Sequence, residues 1–383
     1  MILQGRRVWV LNDWMEAQIE ISGSRIRRIY PYGKEKPDVD YGELRIVPGL
    51  IDVHTHGGYG FDTNDAQEEG LRNWAGKLVQ EGVTGFLPTT VTQSEEVLTA
   101  ALANVAATAR AEYEGARILG VHLEGPWIDR AWRGAQPEEF CTAPDPAQFD
   151  RLREASGNKI RIVTMACEHD AGFAMTRLLT DRGIAVSLGH SGASYEQAAE
   201  AFANGVRSVT HVYNGMAPFH HRAPGIVGAS LRFHNVYGEI ICDGRHSDWA
   251  AVYDFFRAKG PDHAVMVTDS LRVKGLLPGT RAVFGGNRIE LCADGCARLV
   301  ENDGRTGKLA GSALKMNEGL RNLVERAGVP WQAAINSCTC NPARLLQMEA
   351  AKGSLQAGKD ADITVLRDDY SVEAVYVRGK RAW

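Results

Sequence analysis

At 383 residues, 44% hydrophobic and 23% charged, the chain has globular composition and the length for one large domain plus a smaller one. A formal net charge of −4 excludes the basic face of a general nucleic-acid binder, and no stretch nears the roughly 18 unbroken apolar residues of a membrane span. The cysteines, Cys141, Cys167, Cys242, Cys292, Cys296, Cys338 and Cys340, are odd in number and include no Cys-x2-Cys pair, which excludes a disulfide framework and a zinc finger. They read as reduced thiols of a cytoplasmic protein, and residues 1–7 lack the apolar core of a signal peptide.

In chain order, segments 6–10, 17–21 and 25–30 read as strands, with turns at Asn12-Asp13 and Ser22-Gly23-Ser24. The C-terminal end repeats this style at 361–366 and 372–377. Neither end can bury both faces of a sheet alone, so 1–48 and 350–383 are expected to pair into one small β-sandwich domain. Between them, over 49–349, strand and helix alternate. Apolar strands are expected at 50–54, 85–90, 117–124, 159–167, 184–190, 208–214, 236–243 and 263–269. The clearest helices are 68–80, 94–112, 146–155, 195–203 and 247–258. Ser94 and Ser194 stand where N-caps belong, and Gly82, Gly183, Gly205 and Gly260 stand just past helices, where a left-handed residue is expected. This α/β alternation predicts a (β/α)8 TIM-like barrel. The glycine-rich stretch 272–310 reads as a β-hairpin insertion before helices at 313–327 and 330–337.

Such barrels place their active sites at the C-terminal ends of the strands. There lie His54-Thr55-His56, His122-Leu123-Glu124, Gly189-His190-Ser191, Thr210-His211, Asp243-Gly244-Arg245-His246 and Thr268-Asp269. Side chains two apart in an extended chain point the same way, so His54 and His56 face one side together. This donor set suits a divalent first-row ion: zinc, with iron, manganese and cobalt as alternatives. We assign His54, His56, Glu124, His190, His211 and Asp269 to one or two ions, Glu124 bridging if two bind. A bound ion lowers the pKa of water to about 7, and Asp269 is suited to take the proton and return it to the leaving group. His122 is expected to orient or pack, and Asp52 and Asp243 to cap or orient. His169 and His234 fall outside the pattern, and His263 begins a strand at the opposite end of the barrel. The fourth strand ends in Met165-Ala166-Cys167-Glu168 and its lysine, Lys159, is at its start. A carboxylated-lysine bridge is therefore excluded.

Eight segments carry a resemblance: Pro-Gly-Leu-Ile-Asp-Val-His-Thr-His-Gly (48–57), His-Leu-Glu-Gly-Pro-Trp (122–127), Leu-Gly-His-Ser (188–191), Thr-His-Val-Tyr-Asn-Gly-Met (210–216), Cys-Asp-Gly-Arg-His (242–246), Thr-Asp (268–269), Leu-Ala-Gly-Ser (309–312) and Asn-Pro-Ala (341–343). Together they resemble the amidohydrolase superfamily and, more narrowly, its N-acetylglucosamine-6-phosphate deacetylase branch. The resemblance implies hydrolysis of the N-acetyl amide of N-acetylglucosamine 6-phosphate, giving glucosamine 6-phosphate and acetate. It implies Glu124, His190 and His211 as holders of the main ion and Asp269 as acid and base. It also implies a sugar-phosphate site lined by Ala135, Asn214, Gly215, Arg222, Asp243, His246, Leu309, Ala310 and Gly311. His220-His221-Arg222 is a cationic cluster suited to a phosphate dianion, and arginine can grip one bidentately. By the resemblance, Arg222 serves the neighbouring subunit's site in a homodimer. Some members of the branch carry a histidine where this chain has Gln136, which donates a hydrogen bond but holds no charge. Others lack the first His-x-His. Here a second ion at His54 and His56 is expected to polarise the substrate carbonyl in place of that histidine, and His246 or Gln136 to stabilise the oxyanion. The alternatives are the galacto epimer, or an N-acyl-amino-acid or cyclic amide. A non-catalytic scaffold fits poorly, because every ligand is retained.

Overall fold

The structure, a computed structural model, describes residues 1–301 and 303–383. Parallel strands Leu50–Thr55, Val83–Thr90, Val121–Glu124, Ile160–Met165, Ala185–Leu188, Ser208–Val209, Tyr237–Ile241 and Ala264–Val267 stand side by side in chain order. The Asp269 N–H donates to His54 O at 2.8 Å and ties the last strand to the first. The expected (β/α)8 barrel is thus present and nearly closed. Ile51, Leu87, Ile162, Ala185, Ile241 and Val265 come from six different strands yet form one buried cluster. Residues so placed meet only in the barrel interior, which is a packed core and not a pore.

Outside the strands lie helices Glu68–Leu78, Glu95–Arg110, Pro146–Ala155, Ala174–Asp181, Tyr195–Ala203, Gly225–Arg232, Trp249–His263 and Met316–Glu325. In Glu95–Arg110 the buried residues Leu98, Ala101, Leu102 and Val105 recur at helical spacing and press one apolar stripe onto the sheet. Ser94 caps this helix by accepting the Val97 N–H, and Ser194 and Gln197 form a reciprocal capping box on Tyr195–Ala203. His263 closes the helix before the eighth strand; it does not begin that strand, as the sequence suggested. The third strand, expected to be continuous, breaks between Arg117–Ile118 and Val121–Glu124. At the break, Leu119 N–H donates back to Phe86 O and Val121 N–H forward to Lys159 O, so past it the chain keeps the second strand as neighbour and gains the fourth.

The termini form one eight-stranded sheet. Its central neighbours are Ile2–Val10, Arg45–Pro48 and Ile363–Leu366, so the first and last parts of the chain complete each other. Leu3, Ile19, Ile26, Ile46, Ile363, Val365 and Tyr376 fill its own core. The expected hairpin insertion is larger than a hairpin. Strands Arg281–Phe284, Asn287–Leu291, Ala297–Val300 and Thr306–Leu309 make a four-stranded antiparallel sheet. Its first turn is Gly285-Gly286, both at positive φ (56° and 89°), as a two-residue turn of this hand requires. All seven cysteines are free thiols.

Candidate active site

Three of the expected ligands sit where a strand leaves extended geometry. His190, His211 and Asp269 have φ of 47°, 26° and 48°. A left-handed backbone at such residues costs about 1–3 kcal/mol each and persists only when the surroundings enforce it. Here the surroundings are hydrogen bonds. Asp269 N–H is held by His54 O, and Asp269 O accepts from Ser312 N–H at 2.7 Å. His190 Nδ1 lies 2.9 Å from Trp132 O, and His211 Nδ1 3.0 Å from Asn214 O. Each main-chain carbonyl fixes a ring with Nε2 turned inward.

The six side chains then meet around Glu124. Its Oε1 lies 3.3 Å from His54 Nε2, 3.3 Å from His190 Nε2 and 3.2 Å from His211 Nε2. Its Oε2 lies 3.3 Å from His56 Nε2. Asp269 Oδ1 stands 3.5 Å from His54 Nε2 and 3.2 Å from His56 Nε2. The ligand atoms fall into two groups, Glu124–His190–His211 and His54–His56–Asp269, each compact enough for one ion. His54 Nε2 and Glu124 Oε1 are buried yet have no hydrogen-bond partner. Buried polar atoms without partners are rare, and these two point into the space between the groups. The residues therefore fit a divalent ion. Burial opposes charge on the imidazoles, but Glu124, Glu239 and Asp269 raise His54 to about 9, and Asp269 and Glu124 raise His56 to about 10. Burial likewise opposes ionisation of the carboxyls, yet His54 and His190 hold Glu124 well below the usual carboxylate range. Ion uptake at such a site displaces protons from the histidines.

Above the ligands lies a cavity lined by Ala135, Gln136, Asn214, Gly215, His246, Leu309 and Gly311, together with His56, Glu124, His190, His211 and Asp269. Ala310 is buried behind it, in the core under the inserted sheet. Asp243 accepts from His246 Nδ1 at 2.8 Å and from the Arg245 and His246 N–H groups. It acts on the cavity through His246. Gln136 is buried; its Oε1 accepts the Thr92 N–H at 2.9 Å and its Nε2 donates to Glu124 Oε2 at 2.8 Å. Its amide clamps the carboxylate between the two ligand groups. His221 and Arg222 are exposed, 2.9 Å from each other, and do not line the cavity of their own chain.

His122 is buried among Val53 O (3.0 Å) and Thr164 Oγ1 (2.8 Å), as a packing histidine should be, and burial pushes it down to about 4. Asp52 accepts from Thr268 Oγ1 at 2.6 Å and ties the first strand to the eighth. His169 pairs with Asp129 and His234 with Ala258 O, both away from the cavity. Two residues escaped the sequence reading. Phe284, from the inserted sheet, walls the cavity with its ring edge-on to His56 at 5.0 Å. Glu239 lies 2.8 Å from His54 Nδ1. Its one sequence signal was a lone carboxylate inside the apolar run Tyr237-Gly238-Glu239-Ile240-Ile241.

The model of the amidohydrolase family matches residues 45–382. The chain belongs to the amidohydrolase family. Within it, the chain is 39% identical to the N-acetylglucosamine-6-phosphate deacetylase of Bacillus subtilis, over 92% of this chain and 88% of that one. It is 33% identical to the N-acetylgalactosamine-6-phosphate deacetylase of Escherichia coli O157:H7, over 100% and 99%. Among solved structures, an aspartate-to-alanine variant of N-acetyl-D-glucosamine-6-phosphate deacetylase from Mycobacterium smegmatis, in complex with N-acetyl-D-glucosamine-6-phosphate, superposes with a TM-score of 0.93. That match is 29% identical and covers 100% of this chain and 99% of that one. The barrel and the terminal β domain are thus a family architecture, and the clusters at the strand ends are side chains able to hold metal.

Proposed function

We propose that the protein removes the N-acetyl group of N-acetylglucosamine 6-phosphate, giving glucosamine 6-phosphate and acetate. The observation that carries this reading is the meeting of Asp269, His246 and the Glu124–His190–His211 group on one cavity. The relatives named above support the substrate class. A divalent ion held by Glu124, His190 and His211 supplies Lewis acidity toward the amide carbonyl and a more acidic water. Asp269 takes a proton from the attacking water and returns it to the departing amine. His246, its Nδ1 engaged by Asp243, offers Nε2 to the developing oxyanion. Asn214, Gly215, Ala135 and the 309–311 segment hold the sugar. His54, His56 and Asp269 would hold a second ion. Zinc suits these donors, with iron, manganese and cobalt as alternatives. In a cytoplasmic homodimer, His221 and Arg222 grip the phosphate in the neighbouring subunit's cavity. The barrel domain is 49–349, carrying the 272–310 insertion, and the segments 1–48 and 350–383 form the small domain.

The test is acetate release from the gluco and galacto 6-phosphates, with and without chelator. Chelator-sensitive release with higher kcat/KM on the gluco epimer is expected. A preference for the galacto epimer moves the substrate assignment toward the Escherichia coli relative's. Release from neither epimer, with ions loaded, sinks the proposal.

A further inference from the structure

We infer that Glu239 is a positioning residue for His54 and that retention of an ion at the His54–His56 side depends on it. The inference rests on reading the six side chains as a metal centre, and not on which substrate they serve.

Four imidazoles enter the centre, and each has its outer nitrogen engaged. His56 Nδ1 faces Thr89 O at 3.2 Å, His190 Nδ1 faces Trp132 O and His211 Nδ1 faces Asn214 O. These three partners are neutral carbonyls. His54 alone is held by a carboxylate, Glu239 Oε2, at 2.8 Å. A carboxylate behind a ligating histidine fixes the ring and makes its inner nitrogen a stronger donor. The inner nitrogen here is Nε2, the atom left without a hydrogen bond between Glu124 and Asp269.

Glu239 itself needs this arrangement. It is completely buried in the strand Tyr237–Ile241, and its Oε1 has no hydrogen-bond partner. Among the described residues no lysine or arginine pairs with it; its ion-pair partner is His54. The nearby His122, its ring 4.5 Å from His54, spends both nitrogens on Val53 O and Thr164 Oγ1. A buried carboxylate without a cation is strongly unfavourable. Positive charge reaching Glu239 must therefore come through the His54 ring, from a proton or from an ion on its far side. Two divalent ions also exceed the charge of Glu124 and Asp269, and Glu239 supplies a third carboxylate next to the pair.

The test compares wild type, Glu239→Gln and Glu239→Ala in zinc uptake from graded metal buffers. Gln keeps the shape and an oxygen for the Nδ1 proton but removes the charge. Wild type should take two zinc ions per chain. The Gln variant should keep the first at wild-type affinity and bind the second roughly 10- to 100-fold more weakly, the span usual for such outer partners. The Ala variant should lose the second ion. The metal-free Gln variant should still unfold in one cooperative transition and keep the wild-type circular dichroism spectrum, which separates the effect from simple damage to the barrel. Unchanged second-ion affinity in Glu239→Gln, or equal weakening of both ions, overturns the inference. A second measurement needs no variant. In cadmium-loaded wild type with isotope-labelled histidines, the metal should couple to His54 Nε2 while Nδ1 stays protonated, and coupling through Nδ1 overturns the inference. Wild type that binds a single ion defeats this inference alone; wild type that binds none defeats the metal-centre reading itself.

Discussion

The proposed reaction turns on Asp269, and its backbone says how firmly it is placed. It holds φ 48° between hydrogen bonds to His54 and Ser312. Its carboxylate faces His54 and His56, which it shares with Glu124. Asp269→Asn keeps the shape and removes the proton acceptor. Turnover should fall by several orders of magnitude while the fold and the ion on Glu124, His190 and His211 persist. Steady-state kinetics beside metal analysis decide this, and near-normal turnover removes Asp269 from the acid–base role. The six candidate ligands stand out in the sequence because metal donors at the ends of five of the eight barrel strands are an uncommon coincidence. Glu239 was not, because one polar residue inside an apolar strand looks the same whether it meets a ligand or merely a neighbour. Gln136 was legible as a cavity residue, but its hold on Glu124 depends on a loop conformation that spacing does not encode.

At the scale of elements, the helix Trp249–His263 carries a buried lysine. Lys259 donates to Phe233 O at 3.1 Å and Val236 O at 2.7 Å. Burial pushes it down to about 7, against about 10.4 in an unfolded chain. Between those values the unfolded chain holds a proton that the folded chain lacks, so stability rises with pH across that window. The unfolding free energy of wild type minus that of Lys259→Met should therefore rise between about pH 7 and about pH 10, by on the order of a few kcal/mol. Urea unfolding of both proteins at the two ends checks the sign, and a flat difference contradicts it. Elements with local signals were the readable ones. Ser94 and Ser194 stand immediately before their helices and each caps the N–H three residues on. The helix Ala174–Asp181 was not among those expected: it starts after Phe173 at φ 57° with no cap of its own. Its first amides, Met175 and Thr176, are instead taken by Asp170, five and six residues away. Three strands of the inserted sheet show in its sequence; the last, Thr306–Leu309, looks like loop sequence and becomes a strand only beside Ala297–Val300.

For the whole molecule, the exposed His221–Arg222 pair stands apart from the cavity of its own chain, which makes the proposed dimer testable. Co-expressed Arg222→Ala and Asp269→Asn chains form hybrids with one site that has both Asp269 and a partner's Arg222. Those hybrids should recover phosphosugar turnover beyond the mixture of separately purified parents, and no recovery places Arg222 outside the neighbouring site. The barrel's alternation was legible at this scale because eight similar units repeat; the joining of the two ends was legible because neither end could bury a sheet alone. That joining has a consequence for how the protein is made. Arg45–Pro48 leaves the ribosome early, with Ile2–Val10 on one edge, while its other neighbour, Ile363–Leu366, is more than three hundred residues from being translated. Until Ile363–Leu366 is made, an apolar sheet edge bearing Ile46 and Val47 stands open to any passing strand. Ile363–Leu366 therefore acts as a seal, and a chain that stops short of it keeps an adhesive flank.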